Sequence, residues 1–198
     1  MNNPNGEGMT IIKKFELIDD QSIEEFGVKL FRIRALVSFA GVCAGDIGGY
    51  VEKEENLSQA DNAWVFGNAR VYGNAQVFGG ARVSGDARVF NDARVFGYAR
   101  VSGNAQVSKY ARVFDYARVS DNARVSGDAL VSGDARVFDN AQVFDYARVS
   151  GNAQIFDYAR VSGYVGVSSN AWVSDYVQMC GNVQVSGDAR VSGNARVH

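Results

Sequence analysis

Histidine, cysteine and proline are scarce in this chain, which has one His, two Cys and one Pro among 198 residues. A zinc site needs several histidine or cysteine ligands at a close spacing, and His198, Cys43 and Cys180 do not supply one. We therefore expect no metal, no cofactor and two free thiols.

Excess charge of one sign and long apolar runs are lacking as well. Twenty Lys and Arg stand against 22 Asp and Glu, a formal net charge of −2, so the charge balance does not favour binding to nucleic acid. No run of about 18 apolar residues is present for a membrane span. Residues 1–7 do not read as the start of a signal peptide. These absences predict a cytoplasmic protein.

What the chain does have is a repeat of six residues. From Ala63 to Ala195, 20 of the 23 positions in steps of six are Ala. Two residues further along, from Val65 to Val197, 21 of 23 are Val. The unit reads Ala-Arg/Gln-Val-Phe/Ser, followed by two residues that are mostly Gly, Asp, Asn or Tyr, and no insertion interrupts it.

This unit predicts a short strand followed by a corner. Residues two apart in an extended chain lie on the same side, so Ala and Val face inward while Arg/Gln and Phe/Ser face outward. Gly, Asp and Asn suit the corner because they tolerate tight-turn backbone. Three such sides close a triangular coil of about 18 residues, and stacked coils pair in parallel about 4.8 Å apart. Alanine at half of the inward positions predicts a filled interior, so any ligand must bind outside.

Several segments resemble known proteins. Residues 83–88 (VSGDAR) and 101–106 (VSGNAQ) resemble the bacterial transferase hexapeptide. The stretch AGDIGGYV (residues 44–51), followed by ENLS and DNAWV, resembles the entry to the helix in YdcK-like proteins of bacteria and phages. The resemblance covers nearly the whole chain. It implies an all-β fold, a left-handed parallel β-helix, and often a trimer or another homo-oligomer.

Residues 1–60 do not follow the repeat, and they carry six basic against ten acidic side chains. Residues 14–18 and 28–36 alternate like half-buried strands, with 19–21 and 24–27 as the connection. We expect a small β-rich cap over residues 1–60 and the β-helix over residues 61–198, because the open end of a solenoid exposes strand edges and core.

Enzymes with the left-handed β-helix that the resemblance implies depend on histidine, of which this chain has one. Hexapeptide acyltransferases, which the repeat resembles, use a histidine as the general base. The γ-class carbonic anhydrases share the fold and bind zinc through a cluster of histidines. His198 is the single histidine and, as a terminal residue, is expected to be mobile. We therefore expect a non-catalytic structural or interaction protein, such as a phage or bacterial accessory protein that binds a host factor. The alternatives are an acyltransferase-like enzyme with a site between subunits, and a binder of an anionic ligand or nucleotide.

Sorting the outward residues in steps of 18 predicts a column of arginines. This arginine strip consists of Arg82, Arg100, Arg118 and Arg136. It is a candidate site for an anionic ligand or an acidic protein partner. The alternative is that these side chains are solvated, cover the sheet with their stems, and pair with corner acids such as Asp115 and Asp134.

A second column is aromatic. This phenylalanine ladder consists of Phe78, Phe96 and Phe114, with Tyr98 and Tyr116 at the adjacent corner. Such a column either stacks within the chain or forms an interface with another subunit.

A third column is acidic. This aspartate column consists of Asp121, Asp139, Asp157 and Asp175. Carboxylates at the coil spacing repel one another, so an arginine or a bound cation must compensate their charge. Arg124 and Arg160 lie three residues beyond two of them, which favours pairing over metal.

The repeat runs in register to Val197 without a capping segment. Unpaired strand groups and core edges at such an end are usually covered. We expect a homo-oligomer in which C-terminal coils meet through Val191 and Val197, with the phenylalanine ladder as the rival lateral interface.

Overall fold

The structure, a computed structural model, describes residues 13–198. The first twelve residues of the expected cap lie outside the described residues, and so does the segment 1–7 that was considered as the start of a signal peptide. Residues 13–198 form 26 β-strands and one short 3-10 helix, Glu54–Asn56. No α-helix occurs in this part of the chain, and most strands pair in parallel in three sheets. The prediction of an all-β parallel solenoid is confirmed.

Three longer strands form the cap and begin the solenoid: β1 (Phe15–Glu25), β2 (Val28–Ala35) and β3 (Ile47–Val51). β1 and β2 form an antiparallel hairpin, and β3 pairs antiparallel with β2. On its other side β3 pairs in parallel with the strand that begins at Arg70. β3 is therefore both the last cap strand and the first rung of the solenoid.

The hairpin differs from the expectation at residues 19–21. These residues belong to β1, where a register shift between Ile18 and Ser22 absorbs them as a bulge. The turn itself is only Phe26 and Gly27, with φ angles of 49° and 80°, which is the two-residue turn that matches the twist of a hairpin. β1 is an edge strand, so the exposed aspartates of the bulge face water and protect the edge from pairing with another chain.

From Trp64 onward, two-residue strands go in turn to three sheets. Sheet I continues from β3 through β5 (Arg70–Val71), β8 (Arg88–Val89), β11 (Gln106–Val107), β14 (Arg124–Val125), β17 (Gln142–Val143), β20 (Arg160–Val161), β23 (Gln178–Met179) and β26 (Arg196–Val197). Sheet II contains β4 (Trp64–Val65), β7 (Arg82–Val83), β10 (Arg100–Val101), β13 (Arg118–Val119), β16 (Arg136–Val137), β19 (Gln154–Ile155), β22 (Trp172–Val173) and β25 (Arg190–Val191). Sheet III contains β6 (Gln76–Val77), β9 (Arg94–Val95), β12 (Arg112–Val113), β15 (Leu130–Val131), β18 (Arg148–Val149), β21 (Gly166–Val167) and β24 (Gln184–Val185).

The register between coils is 18 residues throughout the repeat. Arg100 pairs with Arg118 and Val101 with Val119, and the same offset recurs along each sheet. Each residue of the repeat therefore stacks on its equivalent one coil away.

The corners use left-handed backbone at their first residue. From residue 67 to residue 193 the φ angles there lie between 57° and 81°. Gly, Asn and Asp adopt this conformation readily. Lys109 and Ser169 adopt it too, with φ of 58° and 60°, although such residues rarely do. The stacked coils on both sides therefore impose the corner even where the side chain does not favour it.

The core is the predicted column of small apolar side chains. Every inward residue from Ala63 to Val173 is at most 1% exposed, and Val119 is fully buried. Val191 and Val197, in the last described coil, are half-buried.

The cap is held on the first coils by buried polar and aromatic contacts. Phe15 and Phe39 pack edge-on against Trp64, with ring centroids 6.2 and 5.5 Å away. The Lys14 ammonium donates to the carbonyl oxygens of Asp61 and Ala63, each at 2.9 Å. Burial lowers the pKa of Lys14 from 10.5 to about 8, although the nearby Asp61 carboxylate acts in the opposite direction.

A second contact ties the hairpin to sheet I. The Glu25 carboxylate lies 2.8 Å from a guanidinium nitrogen of Arg70 and 3.1 Å from Nε of Arg88. It therefore bridges the tip of the cap hairpin to the first two rungs of the repeat in this sheet.

Candidate functional site on the outer faces

The arginine strip lies where the sequence predicts it, on the outer side of sheet II. Its members pair one above another in register, and all four side chains are exposed. The expected ion pairs with Asp115 and Asp134 are not formed, and within residues 13–198 no carboxylate lies within 4 Å of any of the four. Arg82 alone among them has an intrachain partner, since it donates to the carbonyl oxygen of Ala40 at 2.9 Å.

Shallow troughs separate the arginines of the strip. One trough of about 470 Å³ lies between Arg82 and Arg100 and is bordered by Phe66 and two serines. A second, of about 220 Å³, lies between Arg118 and Arg136 and is bordered by Ser120 and Phe138. Serine hydroxyls and phenylalanine rings therefore lie beside the column of positive charges on this face.

The phenylalanine ladder is formed on sheet III. Its rings stack nearly parallel with centroids 4.9 and 5.0 Å apart, and Tyr98 stacks on Tyr116 at 5.3 Å. The Phe rings are half-buried and the two Tyr rings exposed. Stacking within the chain accounts for this arrangement, and the lateral interface stays a prediction.

The aspartate column is stabilised differently from the expectation. The carboxylates of Asp121, Asp139 and Asp157 each accept a hydrogen bond from the backbone N–H of the aspartate one coil further along, at 3.5, 3.4 and 3.2 Å. Within residues 13–198 no arginine forms an ion pair with these aspartates. The prediction that Arg124 and Arg160 pair with the column is therefore wrong. The corner N–H is the group that needs an acceptor, because it has no backbone partner in the neighbouring coil.

A metal at the aspartate column has no geometric support. Among the described residues no three His, Cys, Asp or Glu side chains lie close enough together to hold an ion.

His198 has a side-chain contact that the sequence analysis does not predict. Its Nδ1 lies 2.8 Å from the Sγ of Cys180. The two residues are 18 apart and so occupy one column of sheet I, and this spacing is the signal in the sequence that indicates the contact. Both cysteines are free thiols, as expected.

One groove on the outer surface is not predicted from the sequence. It lies along sheet III, has a volume of about 660 Å³, and we call it the tyrosine groove. Its floor contains Leu130 and Gly166, which stand where the repeat elsewhere mostly has Arg or Gln. Its edge carries the exposed rings of Tyr110, Tyr146 and Tyr164. The two departures from the repeat were the available signal.

Comparison with protein families supports the repeat assignment. Residues 62–80, 81–97, 117–133 and 183–198 match the model described as the YdcK beta solenoid repeat. No curated protein sequence matches the chain significantly. Within the described residues no helix has the length and apolar character needed to cross a membrane. The repeat matches and the three stacked parallel sheets together place this chain among the repeat-based β-helix proteins, with four segments that match solenoid repeats of the YdcK type.

Proposed function

We propose that this protein is a non-catalytic scaffold that binds an acidic segment of a partner protein along the arginine strip. One observation carries the proposal: four exposed arginines stand in register on successive coils, and no carboxylate of residues 13–198 pairs with them.

The positive charge of the strip is not neutralised by any carboxylate of residues 13–198. Two unit charges about 5 Å apart repel by on the order of 1 kcal/mol in a water-like dielectric. Three adjacent pairs of this kind follow one another on sheet II. An acidic partner replaces this repulsion with charge-assisted hydrogen bonds, for which the planar guanidinium is well suited.

The backbone beneath the strip is rigid. Arg100 N donates to Ala117 O at 2.9 Å and Ser102 N to Val119 O at 2.9 Å, and equivalent bonds link each coil to the next. The positions of the arginine Cα atoms are therefore set before binding. Preorganisation of this kind reduces the entropy lost when a partner associates.

The chemistry of the face favours binding over catalysis. The troughs offer serine hydroxyls such as Ser84 and Ser102, but among residues 13–198 no His, Asp or Glu lines them to take a proton from a nucleophile. The acidic character of residues 1–60 and the net charge of −2 oppose a polyanion as long as a nucleic acid. A short acidic protein segment fits both conditions.

The test uses a short oligo-L-glutamate peptide as the probe and a pair of matched variants. Arg100→Gln/Arg118→Gln removes two charges from the strip. Arg124→Gln/Arg160→Gln removes two charges from sheet I, where the natural outward column already alternates Arg with Gln. Gln occupies this repeat position at several coils, so both variants are expected to fold like the wild type.

The strip variant should bind the probe about tenfold more weakly at low salt, and the sheet I variant within about twofold of the wild type. The affinity of the wild type should also fall as salt is added, because exposed charges are screened. Equal losses in the two variants would show attraction by overall charge and would overturn the strip as the site. A thermal shift with acetyl-CoA tests the acyltransferase alternative, and no stabilisation is expected.

A further inference from the structure

The tyrosine groove contains a break in an aromatic ladder. The second corner residue between sheets I and III is Tyr at residues 110, 146 and 164, and Asp at residue 128. Tyr146 and Tyr164 stack with centroids 5.0 Å apart and planes 5° apart. Tyr110 has no aromatic partner among the described residues. The ladder is therefore interrupted for one coil at Asp128.

The break has the dimensions of one inserted ring. Tyr110 and Tyr146 are two coils apart, so they are separated by about 10 Å along the solenoid axis. A planar ring at the level of Asp128 would lie about 5 Å from each tyrosine, close to the spacing of the formed Tyr146–Tyr164 pair and within the range that aromatic stacking favours.

The floor beneath the break is apolar and flanked by positive charge. Leu130 is outward-facing and half-buried there. It pairs in register with Arg112 on one side and Arg148 on the other. Both arginines are exposed, and neither forms an ion pair in residues 13–198. An anionic group attached to the inserted ring meets a guanidinium whichever way it points along the groove.

The corner supplies an acceptor at the edge of the break. Asp128 is exposed and lines the groove. A carboxylate is an acceptor with two oxygens, so it pairs best with a ring edge that presents two adjacent N–H donors. Among nucleobases, guanine has such an edge, whereas adenine presents one amino group beside an acceptor nitrogen that the carboxylate repels.

We propose that the tyrosine groove binds a guanine mononucleotide. The base stacks between Tyr110 and Tyr146 over Leu130, its two N–H groups donate to Asp128, and its phosphate binds Arg112 or Arg148. This site is on sheet III and does not depend on the proposed role of the arginine strip on sheet II.

The test is calorimetric titration of the full chain with GMP, with AMP, guanosine and inorganic phosphate as comparison probes. Wild type should bind GMP with a dissociation constant below about 1 mM, more tightly than any of the other three. Absence of GMP binding to the wild type would overturn the proposal. Equal affinity for GMP and AMP would overturn the recognition of the base by Asp128.

Two variants distinguish a loss of GMP binding at the groove from a general loss of folding. Asp128→Tyr places the natural ladder residue in the break, so it should close the slot and weaken GMP binding at least about tenfold. Asp134→Tyr adds the same residue next to Tyr116 on another corner and should leave GMP binding unchanged. Each should melt no lower than the wild type. Retention of GMP binding by Asp128→Tyr would contradict insertion between the two tyrosines.

Discussion

The backbone N–H of Asp175 donates to the carboxylate of Asp157, one coil earlier in the solenoid, at 3.2 Å. The same relationship links Asp175 to Gly193 at 2.8 Å. An aspartate in this corner thus does two things, since it adopts the left-handed backbone and also satisfies the N–H of the corner stacked on it. A column of like charges persists because each carboxylate binds a backbone donor.

Substitution of Asp157 should test this bond locally. Asp157→Asn keeps an acceptor and tolerates the left-handed backbone, so it should cost little. Asp157→Ala loses the acceptor and is strained at positive φ, and we expect it to destabilise the protein by about 1–2 kcal/mol. Amide hydrogen exchange of Asp175 is the measurement, and its protection should fall in the Ala variant only. Unchanged protection in Asp157→Ala would show that the bond contributes nothing.

Ala117→Leu should destabilise the solenoid by overfilling its interior. Ala117 is fully buried in a column of alanines, and added methyl groups in a packed core cost typically about 1–3 kcal/mol. Urea unfolding measures the loss. Arg118→Leu, one residue further on and facing outward, is the control, because Leu130 naturally occupies the same repeat position. Equal stability of Ala117→Leu and wild type would contradict a filled interior.

The stability of the cap should rise with pH above about 8. Burial lowers the pKa of Lys14 to about 8 in the folded state, from 10.5 when the side chain is free. Between these values the unfolded chain binds more protons than the folded chain, so the free energy of unfolding increases as pH rises through this window. Below about pH 8 lysine is protonated in both states and this dependence disappears.

Lys14→Met isolates that contribution. Urea unfolding between about pH 8 and pH 10 should show a shallower rise for Lys14→Met than for the wild type. Lys13→Met, which removes an exposed ammonium that pairs with Glu54, should keep the slope of the wild type. An identical slope in all three proteins would contradict the lowered pKa of Lys14.

Light scattering at micromolar concentration tests the predicted homo-oligomer. An assembly through the phenylalanine ladder should dissociate in Phe96→Asp, because a charge replaces a half-buried ring at the contact. An end-on assembly should instead dissociate in Val191→Asp. Each variant is the control for the other. A monomeric wild type would contradict both interfaces.

Much of the fold was predictable because the repeat is both short and uninterrupted. A period of six with Ala and Val two apart determined which side chains face inward, and the coil of 18 residues determined which side chains stack. The arginine strip and the phenylalanine ladder follow from the same arithmetic, and the structure has both in register.

Only the tertiary structure decided which hydrogen-bond partners the polar side chains outside the core have. Asp157 binds a backbone N–H rather than Arg160, and Lys14 is buried against carbonyl groups of the first coil. The tyrosine groove likewise depends on side chains from neighbouring coils and a corner that meet over Leu130. Backbone periodicity specifies the position of each Cα atom in a solenoid. The direction of a polar side chain depends instead on which donors and acceptors of the adjacent coils lack a partner, and that is settled only when the coils stack.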